Sequence, residues 1–167
     1  KGNHVNGIAT INPKFLYNNF RNPYFKKIVN HQTDEHLGEH NLGYLYKTMI
    51  EAKSSAKYIF ETSKTYKTKK TYPNTAFGKQ LKTTAEFINS DINTSVYYVS
   101  MGGFDTHANQ KGLQNRLLKN YSEAIKVFVD ELEEQNTFKD TLILTFSEFG
   151  RRVKQNAGAG TDHGAAN

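Results

Sequence analysis

The chain has 167 residues, 37% of them hydrophobic and 23% charged, with no cysteine and no tryptophan. That is about one domain's length at roughly 150 residues per domain. It excludes disulfides, thiolate metal sites and a cysteine nucleophile. Ten tyrosines and eleven phenylalanines supply enough apolar area to argue against disorder. Lys and Arg number 22 against 16 Asp and Glu, a net charge of +6. No apolar run approaches the roughly 18 residues of a membrane-spanning helix.

Residues 1–40 are polar, contain Pro13 and Pro23, and read as short helices and loops. His31, His36 and His40 do not share a helical face and read as surface residues, and His4 reads as part of a mobile terminus. The chain begins without an initiator Met or the apolar core of a signal peptide. It stops just after a motif-like cluster, Thr161-Asp162-His163-Gly164. Both ends read as the bounds of an internal piece of a longer protein.

Asn41 is placed to cap a helix running to about Thr62, with Leu42, Leu45, Met49, Ala52, Ala56 and Ile59 at spacings of three and four. From Lys47 to Lys82 nine lysines stand against Glu51 and Glu61, centred on Lys64, Lys67, Lys69 and Lys70. The stretch has no arginine, the residue best suited to phosphate recognition. It reads as a solvated helix face and loop, and nucleic acid is not an expected partner. A second helix fits Thr75 to Asn89, with Phe77, Leu81, Ala85 and Ile88 on one face. A third fits Asn109 to about Gln135, striped by Leu113, Leu117, Tyr121, Ile125, Phe128 and Leu132. Asp130, Glu131, Glu133 and Glu134 near its end oppose the helix dipole.

Ser95–Met101 and Thr141–Phe146 are short β-branched and aromatic runs bounded by turns, and read as buried strands flanking the third helix. Strand, helix, strand predicts an α/β fold: a parallel βαβ unit over 95–167 with a right-handed connection, preceded by mostly helical residues 1–94. Both strands would then end on one sheet edge, where open α/β sheets bind ligands.

The segments after the two strands carry the chemistry. Gly102-Gly103-Phe104-Asp105-Thr106-His107 follows the first. Ser147-Glu148-Phe149-Gly150-Arg151-Arg152 and Gly160-Thr161-Asp162-His163-Gly164 follow the second. Asp, Glu and His are the oxygen and nitrogen ligands of zinc-class ions. Asp105 could equally be a helix cap, and Glu148 with Arg151 or Arg152 a structural ion pair. Ser147 lacks the Gly-x-Ser-x-Gly elbow of a serine nucleophile. It is the joint occurrence of two carboxylate–imidazole pairs and a glutamate that points to a metal or polar catalytic site.

At these segments the chain resembles a bacterial domain-of-unknown-function family, number fifteen-oh-one. The family is similar in turn to the alkaline phosphatase and sulfatase superfamily. The resemblance is carried by residues 102–107, 147–152 and 160–164 and extends from about Tyr72 to the end. It implies a parallel-sheet core of that superfamily's type, incomplete in this chain. It implies a divalent metal ion (Zn, Mn, Ca or Mg) held by Asp105, His107, Asp162 and His163. Glu148 would be a ligand or general base, and Arg151 or Arg152 would hold a small anionic ester, a phosphate or a sulfate. The superfamily's Asp-His pair departs here to Glu148 without a neighbouring His. No residue in 1–94 resembles its nucleophile. Family members are often exported, which implies an exported or periplasmic protein. The alternative is a non-catalytic exported or envelope protein that keeps the fold for binding.

Overall fold

The computed structural model describes residue 10, residues 12–30 and residues 40–164. His4, His31 and His36 lie outside these. The chain divides into two compact units, Lys1–Lys67 with Ser90–Ile92, and Thr68–Asn89 with Asn93–Asn167.

The first unit holds three helices: α1 (Pro13–Phe20), α2 (Pro23–Asn30) and α3 (His40–Thr62). Prolines open α1 and α2, where a missing N–H costs nothing and the fixed φ suits a helix. Asn12 caps α1, accepting the N–H groups of Lys14 and Phe15 at 3.0 and 3.2 Å. Tyr17 of α1 stacks on Phe60 of α3 with centroids 4.4 Å apart. α3 begins one residue before Asn41, which therefore lies in its first turn and is not its cap.

The second unit is built on α4 (Ala76–Asn89) and α5 (Gln110–Glu134), both where the apolar spacing predicts them. Phe77, Leu81 and Ala85 of α4 meet Ala124, Phe128 and Leu132 of α5 in one core that also includes Tyr72. Thr75 caps α4 through its hydroxyl, which accepts the Gly78 N–H at 3.1 Å. The acids at the end of α5 are partly relieved by cross-links. Tyr72 donates its hydroxyl to the buried Glu131, and Lys70 reaches Glu134. Lys64 likewise pairs with Glu61 at 3.1 Å, so the lysine-rich stretch is not a uniformly free cationic patch.

The expected parallel βαβ core is not formed. Among the described residues the only sheet is a two-stranded antiparallel ladder, β1 (Gly150–Arg151) with β2 (His163–Gly164). Residues 95–101 and 141–146 form no ladder with each other. One side of each packs on the helical core through Val99, Met101 and Ile143. The other side is open: Tyr98 is 77% exposed, Leu142 91% and Leu144 77%. The Gln80 side chain, rather than a neighbouring strand, serves the main chain of Ser100, accepting its N–H at 3.2 Å and donating to its carbonyl at 3.4 Å. β-branched and aromatic composition reports fitness for a half-buried pleated surface. A strand needs a ladder partner as well, and composition does not supply one.

Candidate metal centre

The residues after 101 and the residues after 149 meet without the shared sheet edge. The β1–β2 ladder sets Arg151 opposite His163. The turn between the two strands folds back onto the start of α5. Carbonyls of Gly158 and Ala159 accept the N–H groups of Asn109 and Gln110 at 2.9 and 3.1 Å. These distant carbonyls satisfy donors at a helix start that lack an intrahelical partner. Asn109 is left-handed at φ 46° and makes no side-chain cap. Thr161 donates its hydroxyl to Gln110 Oε1 at 2.8 Å.

Within this frame Asp105, His107 and His163 converge. His163 Nε2 lies 2.8 Å from Asp105 Oδ1, and His107 Nδ1 lies 3.2 Å from the same oxygen. One ligand atom from each residue falls within 4.8 Å of the other two. Two ligands at 2.0–2.1 Å in a tetrahedral zinc site are about 3.3 Å apart. The two separations from Asp105 are therefore already near that value. Two imidazoles and a carboxylate, all three exposed, are ligand types that suit a zinc-class ion with an open coordination position.

The electrostatics favour the anionic ligand. The His163 hydrogen bond holds the Asp105 carboxyl below its ordinary range, with the charges of His107 and Arg151 acting in the same direction and partial desolvation against them. The His163 ring is held in plane by Phe149, stacked on it at 3.9 Å and 18°. Arg151 sits over the same Phe149 ring, 5.0 Å from its centroid.

Arg151 has a structural role in this arrangement. Its guanidinium donates to the carbonyls of Thr161 and Phe104, the latter at 2.6 Å, and lies 3.7 Å from Asp105. One planar fork thus ties three segments together. Arg152 is exposed, and its main-chain N–H donates to the Asp162 carbonyl at 3.0 Å. The Asp162 carboxylate accepts the side-chain amide of Asn156 at 3.1 Å. Among the described residues neither Asp162 nor the exposed Glu148 joins the three-residue group. The sequence reading missed Asn156 and Phe149. Asn156 had a signal: an asparagine ahead of Ala-Gly-Ala-Gly is an Asx-turn candidate.

A family model described as a protein of unknown function (DUF1501) matches residues 26–167. The chain belongs to that family. Comparison with curated proteins gives no match, and neither does comparison with solved structures.

Proposed function

We propose that Asp105, His107 and His163 bind a divalent ion of the zinc class, and that the protein uses it to hydrolyse small anionic esters, phosphates or sulfates. The convergence of these three side chains carries the proposal. When bound, such an ion supplies Lewis acidity and a water that ionises near neutral pH. The chain's own residues do the rest. Asp105, kept ionised by its neighbours, neutralises part of the ion's charge. Phe149 fixes the plane of His163. Arg151 keeps the Phe104 and Thr161 segments together, which leaves the exposed Arg152 as the arginine open to an incoming anion.

Elemental analysis of unchelated protein tests the first half, wild type beside Asp105→Ala and His163→Ala. About one equivalent of zinc or a similar transition metal is expected in the wild type and loss in both variants. No metal after reconstitution would overturn the reading. Assays with p-nitrophenyl phosphate and p-nitrophenyl sulfate on the metal-loaded protein test the second half. Metal without turnover of either ester would leave a metal-binding protein and remove the hydrolase.

A further inference from the structure

The geometry points to Asn156 as the positioning residue that sets the spacing between the two histidines, a role that rests on the metal reading above only for its consequence. Its side-chain amide uses both ends. Nδ2 donates to the His107 carbonyl at 3.0 Å and to Asp162 Oδ1 at 3.1 Å. Oδ1 accepts the N–H groups of Gly158 and Gly160, each at 3.0 Å. The main chain closes the same turn, with Asn156 N–H donating to the Gly160 carbonyl at 2.8 Å and Ala159 N–H to the Asn156 carbonyl at 3.2 Å. One side chain therefore shapes the 156–160 turn and fastens it to the main chain of His107. Through Asp162 it also fastens it to the residue before His163.

Asp105 Oδ1 meets both imidazole rings directly, whereas Asn156 acts on the main chain that carries them. Arg151 binds main chain at Phe104 and Thr161, three residues before His107 and two before His163. Asn156 binds His107 itself and the neighbour of His163. The two imidazole rings it brackets have centroids 4.9 Å apart, tilted by 41°. The amide carries its two donors and its acceptor on one planar group, so it can serve the glycine N–H groups on one side and the His107 carbonyl and Asp162 carboxylate on the other. Aspartate at 156 keeps the shape and the acceptor for the two glycine N–H groups. It sets a second carboxylate oxygen against the His107 carbonyl and the Asp162 carboxylate. Asn156→Asp thus breaks the links to the histidines while leaving the turn its acceptor.

The test is NMR on the metal-free full chain, with zinc affinity measured by chelator competition. In the wild type the Asn156 side-chain amide protons exchange slowly, and a cross-relaxation peak joins the His107 and His163 rings. In Asn156→Asp that peak disappears while the Phe77–Tyr121 peak, reporting ring centroids 5.7 Å apart in the core, persists. Zinc affinity falls about tenfold or more, the usual cost of losing a group that orients a ligand. An imidazole–imidazole peak and a zinc affinity both unchanged in Asn156→Asp would overturn the assignment. So would wild-type Asn156 amide protons that exchange at the solvent rate, a result that does not depend on the variant folding. If the ring peak is lost in Asn156→Asp but neither the wild type nor Asp105→Ala binds zinc, the positioning role is upheld and the metal reading falls.

Discussion

Gly160 lies so close to the main chain of His107 that a β-carbon on it would sit 2.3 Å from the His107 carbonyl carbon and oxygen. That contact lets the 156–160 turn nest under His107, while His163 lies three residues on and meets the same Asp105 carboxylate. The obstacle is backbone, so it cannot swing aside as a side chain would. Gly160→Ala should cost about 1–3 kcal/mol, the range for forced overpacking, and weaken zinc binding with it. Gly102→Ala is the control, since nothing lies within 4 Å of its would-be β-carbon, and should stay within about 0.5 kcal/mol. Urea denaturation of the two variants checks both values.

Arg151→Met should lower stability by about 2 kcal/mol, because hydrogen bonds from a charged donor contribute roughly 1.5–3 kcal/mol each and do not add fully. The side chain is only 18% exposed, so water cannot readily take its place. Arg151→Lys should not restore the loss, since a single ammonium cannot span the Thr161 and Phe104 carbonyls as the planar fork does. Thermal melts of the three proteins side by side decide this. A lysine variant as stable as wild type would refute the fork.

The Lys70–Glu134 pair predicts an alkaline effect. The hydrogen bond to Glu134 raises the Lys70 pKa above its ordinary value of 10.5, with the charges of Glu134, Asp130 and Glu131 adding to it and desolvation opposing. A raised lysine contributes stability that is complete below the unfolded value and disappears as pH rises through the folded one. The stability difference between wild type and Lys70→Met should therefore be constant well below pH 10.5 and narrow as the pH rises above that value. Urea midpoints of both proteins across that window give the test, and a difference that widens would contradict the pairing.

Leu132 and Leu144 should behave oppositely. Leu132 is fully buried between α4 and α5, so Leu132→Ala should cost about 2–5 kcal/mol. Leu144 is 77% exposed, so Leu144→Ser should change stability by no more than about 0.5 kcal/mol. It should also reduce binding of a dye that reports exposed apolar surface. Equal losses in the two variants would mean that residues 141–146 are buried after all.

The helices were legible because their determinants are local. Spacings of three and four place Phe77, Leu81 and Ala85 on one face of α4, and Ile125, Phe128 and Leu132 on one face of α5, whatever else the chain does. The three side chains that converge, Asp105, His107 and His163, were among those the sequence singled out, as ligand types set in glycine-containing segments. Pairing was not legible. Residues 95–101 and 141–146 have strand composition, yet a ladder is a relation between two distant segments, and nothing in either run specifies its neighbour. The same limit applied to the membership of the centre. Asp162 and His163 are adjacent in sequence, but the Asn156 amide takes the carboxylate of one while Asp105 pairs with the imidazole of the other. Sequence alone determined which polar residue types stand in these segments. The tertiary structure decided which three converge, because hydrogen bonds from Asn156 and Arg151 join segments some fifty residues apart in the chain.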